Sequence, residues 1–399
     1  MTSADDHPDR DLPGVGPLPR VSDATLRDSA HMAGVEFAPA DVRVVAGLLR
    51  DAGVHLIEVG MVSGPGGEDA PLVRAAHETV GPDRCLTLVT VRTRKQAEGA
   101  LRAAADLGCR SVMLSIPTSV EHSELKLGSP STRYLIRLAS SVIAEAKAHG
   151  FHVTFSGEDA ARADSERLVE YVGAGFDAGA DRFRLAETVA SLTASEISRR
   201  IRDIKGASSC REVEVHCHNM LGMAVGNSLA AYEAGADWIS ATVGGIGERG
   251  GNTPLAELLC ALRVCYGDPR YVLGRLGELL DVVRESARIP SFTPGPLTEY
   301  AFAYEVAGQL SHPEAYESLP PEAVGGRRTV RVRSRISSAL LSCVLQDEGH
   351  DLDVDAFATW LGEHQKATGY RVLGREDISA LAQQFSTTGP FPPSATRCP

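Results

Sequence analysis

The sequence has no excess of basic charge. Its 399 residues carry 40 Lys and Arg against 52 Asp and Glu, a formal net charge of −12 at pH 7. A surface of that sign offers no electrostatic footprint for nucleic acid or an anionic membrane, and solubility accounts for it. No apolar run reaches the roughly 18–20 residues that a membrane-spanning helix requires. No Cys-x-x-Cys pair occurs: Cys85, Cys109, Cys210, Cys217, Cys260, Cys265, Cys343 and Cys398 are scattered. That pattern predicts reduced, mostly structural thiols and a cytoplasmic location. The stretch Met1 to Leu12 is acidic and polar, unlike a secretory signal.

What is present is a repeat. From Val21 a strand-then-helix pattern recurs about every 25–35 residues. Strands are expected at Val21–Leu26, Leu56–Val59, Leu86–Val91, Ser111–Ile116, His152–Phe155, Arg182–Leu185, Glu212–His216 and Trp238–Thr242. Amphipathic helices fall between them, for example Pro39–Asp51, Thr132–His149, Ser165–Ala178 and Ala224–Ala234. Several end at a glycine joint (Gly53, Gly108, Gly150, Gly179, Gly235), the expected helix C-terminal cap. Eight strands alternating with helices predict an α/β fold, a (β/α)8 TIM barrel with a small helical C-terminal extension. A doubly wound open sheet is the alternative, weakened because no G-x-G-x-x-G follows the first strand. The expected organisation is a loose tail over 1–17, a catalytic barrel over 18–285, a linker and helical subdomain over 286–386, and a proline-rich tail over 387–399.

In such a barrel, chemistry sits at the carboxyl ends of the strands. Strand 7 ends in Val-Glu-Val-His216-Cys-His218. Residues i and i+2 of a strand share a face, so two imidazoles project together. They form either a metal-binding pair or two hydrogen-bonded histidines. Strand 1 ends in Arg27-Asp28-Ser-Ala-His31. Asp28 could supply the missing oxygen ligand, and Arg27 could hold a carboxylate or stabilise an enolate oxygen. Glu58 at the end of strand 2 is either a buried structural acid or a catalytic one. Ser156 after strand 5 points toward a substrate, and Thr188 after strand 6 could hydrogen-bond its carboxylate. Glu158, Asp159 and Arg162 read as a structural network beneath the site. The glycine-dense run 244–252 lets backbone approach a ligand, with Asn252 able to reach a metal or its water. Three protein ligands that leave positions open suit metal-assisted chemistry on a chelating 2-oxo acid, with Mg, Mn or Zn as the cation.

Motifs along nearly the whole chain resemble the DRE-TIM metallolyase superfamily. They are D-A-T-L-R-D at 23–28, I-E-V-G at 57–60, L-S-I-P at 114–117, G-E-D-A-A-R-A-D at 157–164 and R-F-R-L-A-E-T-V at 182–189. Further on come H-C-H-N-M-L-G at 216–222, G-I-G-E-R-G-G-N at 245–252 and H-P-E-A-Y-E-S-L-P-P-E-A-V-G at 312–325. Within the superfamily the chain is most similar to homocitrate synthases of the nitrogen-fixation type and to isopropylmalate synthases. The resemblance implies a TIM barrel with a helical extension, often a homodimer. It also implies a divalent metal on Asp28, His216 and His218, with Asn252 close by and Arg27 as the catalytic arginine.

The departures from that pattern bear on the reaction. Family synthases usually read Gly-Glu-Gln after the Arg-Asp pair, where this chain has Ser29-Ala30-His31. His31 resembles the base of the 4-hydroxy-2-oxovalerate aldolases of the same superfamily. The histidine of the synthases' Gly-Ile-His segment is missing from Tyr304–Leu310, and Val332–Ile336 stands for their Gly-Lys-His-Ser-Gly. Thr154, sharing a face with Ser156, replaces the arginine that some homocitrate synthases use for a distal carboxylate. Met220 replaces an acid. Two reactions follow as expectations. One is Claisen condensation of acetyl-CoA with a 2-oxo acid such as 2-oxoglutarate, oxaloacetate or a phosphono- or phosphinopyruvate-like acceptor. The other is a CoA-independent aldolase or lyase reaction with His31 as base.

Overall fold

The structure is a computed structural model. It describes residues 17–289 except 33, 65, 66, 68 and 208, and then 302–317, 320–324, 328–330, 337–368 and 373–388. Eight strands close into a parallel barrel in sequence order, with the first paired to both the second and the eighth. They are β1 (Arg20–Asp23), β2 (Leu56–Val62), β3 (Cys85–Thr90), β4 (Ser111–Pro117), β5 (His152–Glu158), β6 (Arg182–Glu187), β7 (Glu212–Cys217) and β8 (Trp238–Ala241). Helices α1 (Pro39–Asp51), α2 (Ala70–Val80), α3 (Arg94–Asp106), α4 (Val120–Leu127), α5 (Thr132–Ala148), α6 (Ser165–Asp177), α7 (Ala194–Lys205) and α8 (Ala224–Glu233) connect them. Next come α9 (Leu255–Tyr266) and α10 (Leu276–Ser286). The barrel expectation holds. β1 is shorter than its sequence pattern because Asp28 N–H bonds the Ala24 carbonyl at 2.7 Å and turns the chain early.

Alternation along each strand divides the barrel in two. Outward residues such as Val21, Val59, Val89, Val153 and Val215 pack against helices in one continuous core. The glycine joints supply the tight returns. Gly53 has φ +91, and a Cβ there would lie 2.8 Å from the Arg270 carbonyl oxygen. The inward face is not uniformly apolar. Leu56, Leu86, Leu88, Met113 and Trp238 form an internal cluster, and beside it runs a chain of alternating charge. Arg20 pairs with Glu212 at 2.6 Å, Glu212 with Arg182 at 3.4 Å, and Arg182 with Glu214 at 3.6 Å. Glu214 pairs with Arg184 at 3.0 Å, and Arg184 with Glu58. Glu58 then holds Arg27 at 2.7 Å, and Arg27 meets Asp28. A buried charge is tolerated only when paired and hydrogen-bonded, and each interior member here has an opposite charge on either side.

The extension begins with β9 (Ala303–Tyr304), α11 (Ala307–Ser311) and α12 (Pro313–Tyr316), and β10 (Thr329–Val330) pairs with β9. Helices α13 (Ser338–Asp347), α14 (Val354–Thr368) and α15 (Arg375–Thr388) pack around their own cluster, including Leu341, Val344, Phe357, Trp360 and Phe385. Its first segment is seated on the barrel mouth. The Ala315 carbonyl accepts from His122 Nε2 at 2.9 Å and from Arg162 Nη2 at 2.7 Å. The Tyr316 ring packs against His122 at a tilt of 48° with centroids 4.7 Å apart, and Gly34 N–H donates to Glu305 at 2.8 Å. Glu158, expected beneath the site, bonds His122 Nδ1 at 2.8 Å and pairs with Lys126, so this network anchors the extension. Residues 1–16, the proline-rich stretch 290–301, Val332–Ile336 and 389–399 lie outside the described residues. Among the described residues no helix is long and apolar enough to cross a membrane.

Candidate metal centre and active site

The turn after β1 is built by its own sequence. Asp23 accepts from Thr25 N–H at 2.9 Å and from Thr25 Oγ1 at 3.0 Å, while that hydroxyl accepts from Val243 N–H at 2.9 Å. The turn is thereby tied to the chain after β8, and Asp28 faces the end of β7. Asp28 Oδ1 lies 3.9 Å from His216 Nε2. One ligand atom each from Asp28, His216 and His218 lies within 4.8 Å of the others, and all three residues are buried. The two imidazoles meet edge to face, with centroids 5.2 Å apart.

Three further contacts orient the pair. Ser240 Oγ lies 3.0 Å from His216 Nδ1, and Asn252 Nδ2 lies 3.2 Å from His216 Nε2. Arg249 Nη2 donates to His218 Nε2 at 2.9 Å. The glycine-dense loop brings the last two residues in. Asn252 N–H bonds the Gly245 carbonyl at 3.0 Å, and Asn219 N–H bonds the Gly251 carbonyl at 2.7 Å. A Cβ at residue 247 would fall 1.7 Å from Asn252 Oδ1 and 3.4 Å from Asp28 Oδ2, so only glycine fits there.

The donor set fits a divalent cation. Asp28 Oδ2, Asn252 Oδ1 and His218 Nδ1 are buried with no hydrogen-bond partner. Orphaned buried polar atoms are rare and costly, and three beside one cluster are what a cation would satisfy. The electrostatics agree. Burial pushes the His216 imidazole down to about 4 and that of His218 to about 3, with neighbouring arginines adding to both shifts. Both therefore stay neutral, the form that binds metal. Burial alone would raise Asp28, but Arg27, His216, His218 and Arg249 hold its carboxyl well below the usual range.

The other expected residues divide in two. Arg27 lies at the cluster, bonded to Asp28 and to Glu58 through Nε at 2.9 Å and Nη2 at 2.7 Å. Glu58 gives one oxygen to Arg27 and the other to Arg184, so it grips the arginine from below. Despite burial, those two guanidinium groups hold its carboxyl down to about 2. His31 ends a short 3-10 turn after Asp28, and its ring contributes to the field at Glu248. Thr188 Oγ1 accepts from Asp159 N–H at 3.0 Å, which leaves its hydroxyl proton to donate. Ser156 is buried beside Arg184 in the strand register. Thr154 is in register with Met113 and Arg182, and its buried Oγ1 has no hydrogen-bond partner.

Sequence reading missed Arg249, Ser240 and the Arg184–Glu214 pair. Arg249 had a signal, a charged residue inside a glycine run, and its own φ of +52 shows the conformation that run imposes. Ser240 shares an inward face with Trp238, but only the β7–β8 register sets it opposite His216.

Behind β7, Glu187 is fully buried and accepts from Leu192 N–H at 2.8 Å. Burial pushes its carboxyl from 4.5 up to about 7, and Asp23 is raised to about 7 by the same cause. A raised folded-state value means that stability is fully present below the unfolded value and is lost as pH climbs through the folded one. Glu187→Gln should therefore gain stability relative to the wild type as pH rises from 4.5 to 8, by up to about 3 kcal/mol. Urea unfolding at several pH values measures this; a difference independent of pH would contradict it.

Comparison with known proteins gives the family. The family described as HMGL-like matches residues 19–283. A homocitrate synthase of Methanopyrus kandleri is 37% identical over 317 residues, 78% of this chain and 78% of its own. A 2-phosphonomethylmalate synthase of Streptomyces rubellomurinus is 33% identical over 336 residues, 82% of this chain and 88% of its own. A relative from Methanosphaerula palustris named for (R)-citramalate synthesis is 34% identical over 83% of this chain, which spans 65% of that relative's length. The solved hydroxymethylglutaryl-CoA lyase of Pseudomonas aeruginosa superposes with a TM-score of 0.60 at 17% identity, covering 68% of this chain and 94% of its own, and so shares the fold. The barrel, its strand-end cluster and these relatives together place the chain in the HMGL-like family.

Proposed function

We propose that the protein is a metal-dependent acyltransferase that condenses acetyl-CoA with a 2-oxo acid and hydrolyses the thioester. The observation that carries this is the Asp28–His216–His218 cluster with its orphaned Asp28 and Asn252 oxygens. Relatives named as homocitrate and 2-phosphonomethylmalate synthases support the reaction class. A cation held by Asp28, His216 and His218 would supply Lewis acidity toward the chelating oxygens of the 2-oxo acid. The remaining work falls to the chain itself. Arg27, locked by Glu58, presents a fixed cation where negative charge develops, without reorganising at the moment of reaction. Thr188 donates a hydrogen bond from its hydroxyl to the acceptor's carboxylate, and Ser156 and Thr154 are the further substrate contacts of this reading. His31, on the turn that carries Asp28, takes the proton from the acetyl methyl group, standing in for the histidine absent from Tyr304–Leu310. The same reading carries Mg, Mn or Zn as the ion and a cytoplasmic homodimer; light scattering tests the latter, and a monomeric mass would contradict it.

The test is incubation with acetyl-CoA, each divalent ion and a panel of 2-oxo acids (pyruvate, 2-oxoisovalerate, 2-oxoglutarate, oxaloacetate and phosphonopyruvate) plus a thiol reagent. Acceptor-dependent release of free CoA is expected, and silence with every acceptor sinks the synthase. The presence of His31 favours a second reading, a CoA-independent aldolase. That reading predicts pyruvate release from hydroxy-oxo acids without CoA. In either case His31→Ala should lower kcat by roughly 10²–10⁴-fold, with metal content and acceptor KM little changed. A near-normal kcat would remove His31 as the base.

A further inference from the structure

Arg249, in the glycine-dense loop after β8, is buried. Its guanidinium is held at every edge: Nε donates to the Thr188 carbonyl at 3.0 Å, Nη1 pairs with Glu248 at 2.5 Å, and Nη2 donates to His218 Nε2 at 2.9 Å. Glu248 is held in turn by Gln309 Nε2 at 3.2 Å. The Arg249 backbone is left-handed, with φ +52. For a residue other than glycine that conformation costs about 1–3 kcal/mol and persists only where the surroundings fix it.

The contact with His218 competes with the metal centre. A guanidinium only donates, so His218 Nε2 must accept with its lone pair. A neutral imidazole has one such lone pair, because its other nitrogen carries the proton. Coordination by His218 uses that same lone pair, whichever nitrogen binds. Through Nε2 it displaces Arg249 outright; through Nδ1 it leaves Nε2 as an N–H facing another donor. His218 therefore serves Arg249 or a cation, never both. Once it serves the cation, Nη2 loses its one hydrogen-bond partner among the described residues and is left as a buried charged donor, a costly state. The bonds to Thr188 and Glu248 do not involve His218, so they keep the guanidinium where it is. Thr188 is also the residue whose hydroxyl meets the acceptor's carboxylate in the reaction proposed above. We propose that Arg249 is a further substrate-binding residue: given up by His218 when the metal centre is loaded, its Nη2 donates to the carboxylate of the 2-oxo acid beside Thr188. This rests on the metal-dependent condensation as the reaction. It makes binding ordered, the cation before the acceptor, because the arginine is released only by the first event. A charge-assisted bond from Arg to carboxylate is among the strongest available to the site.

Calorimetric titration of the full chain with Mn²⁺ tests this, followed by titration of the Mn²⁺-loaded chain with each 2-oxo acid named above, acetyl-CoA omitted. Arg249→Met removes the competitor for the His218 lone pair and a positive charge beside the cation, so Mn²⁺ should bind as tightly as to the wild type or more tightly. The 2-oxo acid that the wild type binds best should bind at least about tenfold more weakly. A residue that only orients His218 gives the opposite result for Mn²⁺, since losing such a partner weakens metal binding by roughly 10–100-fold. Arg249→Lys keeps a charge facing Glu248, which guards against a variant that fails to fold. One ammonium cannot reproduce the planar fork, so the loss of acceptor affinity should persist. A crystal structure of the wild type with Mn²⁺ and that 2-oxo acid needs no variant. In it Nη2 should lie within about 3.2 Å of a carboxylate oxygen and beyond about 3.5 Å from both His218 ring nitrogens. The inference is overturned if Arg249→Met weakens Mn²⁺ binding, if either folded variant binds the 2-oxo acid normally, or if Nη2 stays on His218 in the loaded crystal. If the wild type takes up no Mn²⁺, or takes it up and binds no 2-oxo acid, the proposed reaction itself fails and this inference with it.

Discussion

Asp28→Asn and His216→Ala should each lose bound metal and turnover together. Asn keeps the shape of Asp28 but removes the charge that Arg27, His216, His218 and Arg249 surround. Replacing His216 by Ala removes the imidazole that Ser240 and Asn252 orient. Lewis-acid polarisation by a cation contributes several kcal/mol, so kcat should fall by roughly three orders of magnitude. Metal content by emission spectroscopy and CoA release, measured on the same samples, are expected to fall in parallel. Full turnover after His216 is removed would refute the assignment of the cluster. Because neither change leaves a charged group buried without a partner, both variants should keep the wild-type fold.

Arg184→Met should act on stability instead. Arg184 is 1% exposed and holds Glu58 on one side and Glu214 on the other. Met roughly fills the space but leaves Glu214 with the Ser22 hydroxyl and Arg182 at 3.6 Å, and strips Glu58 of one of its two cations. Breaking a buried pair from one side costs about 3–5 kcal/mol, which corresponds to a fall of roughly 5 °C in the unfolding midpoint of a chain this long. Calorimetry of the metal-free protein measures it, and a midpoint within a degree or two of the wild type would refute it. Adding Glu214→Gln should recover part of the loss, because one of the stranded charges is then gone.

The barrel was legible because its signals are local. Strand alternation, helix faces and glycine joints each depend on a few neighbouring residues. Asp28, His216 and His218 were legible for a related reason, since barrel closure delivers every strand end to one mouth whatever the sequence separation. The interior chain of charge was not. Arg182, Arg184, Glu212 and Glu214 alternate along β6 and β7 as inward residues should, but which carboxylate meets which guanidinium depends on the relative height of strands. Arg184 and Glu58, 126 positions apart, meet only through that register. Glu58 shows the cost of this gap. Composition and position left it either structural or catalytic, and the geometry makes it the grip on Arg27.

The join between barrel and extension grips a carbonyl that every amino acid possesses. His122 and Arg162 bind the main-chain oxygen of residue 315 and are indifferent to its side chain. Drift at that position leaves this contact whole, whereas Tyr316 and Glu305 hold the extension through their own side chains. A search for the attachment by matching side chains at that residue would find nothing; the imidazole and guanidinium on the barrel side are where its history is written.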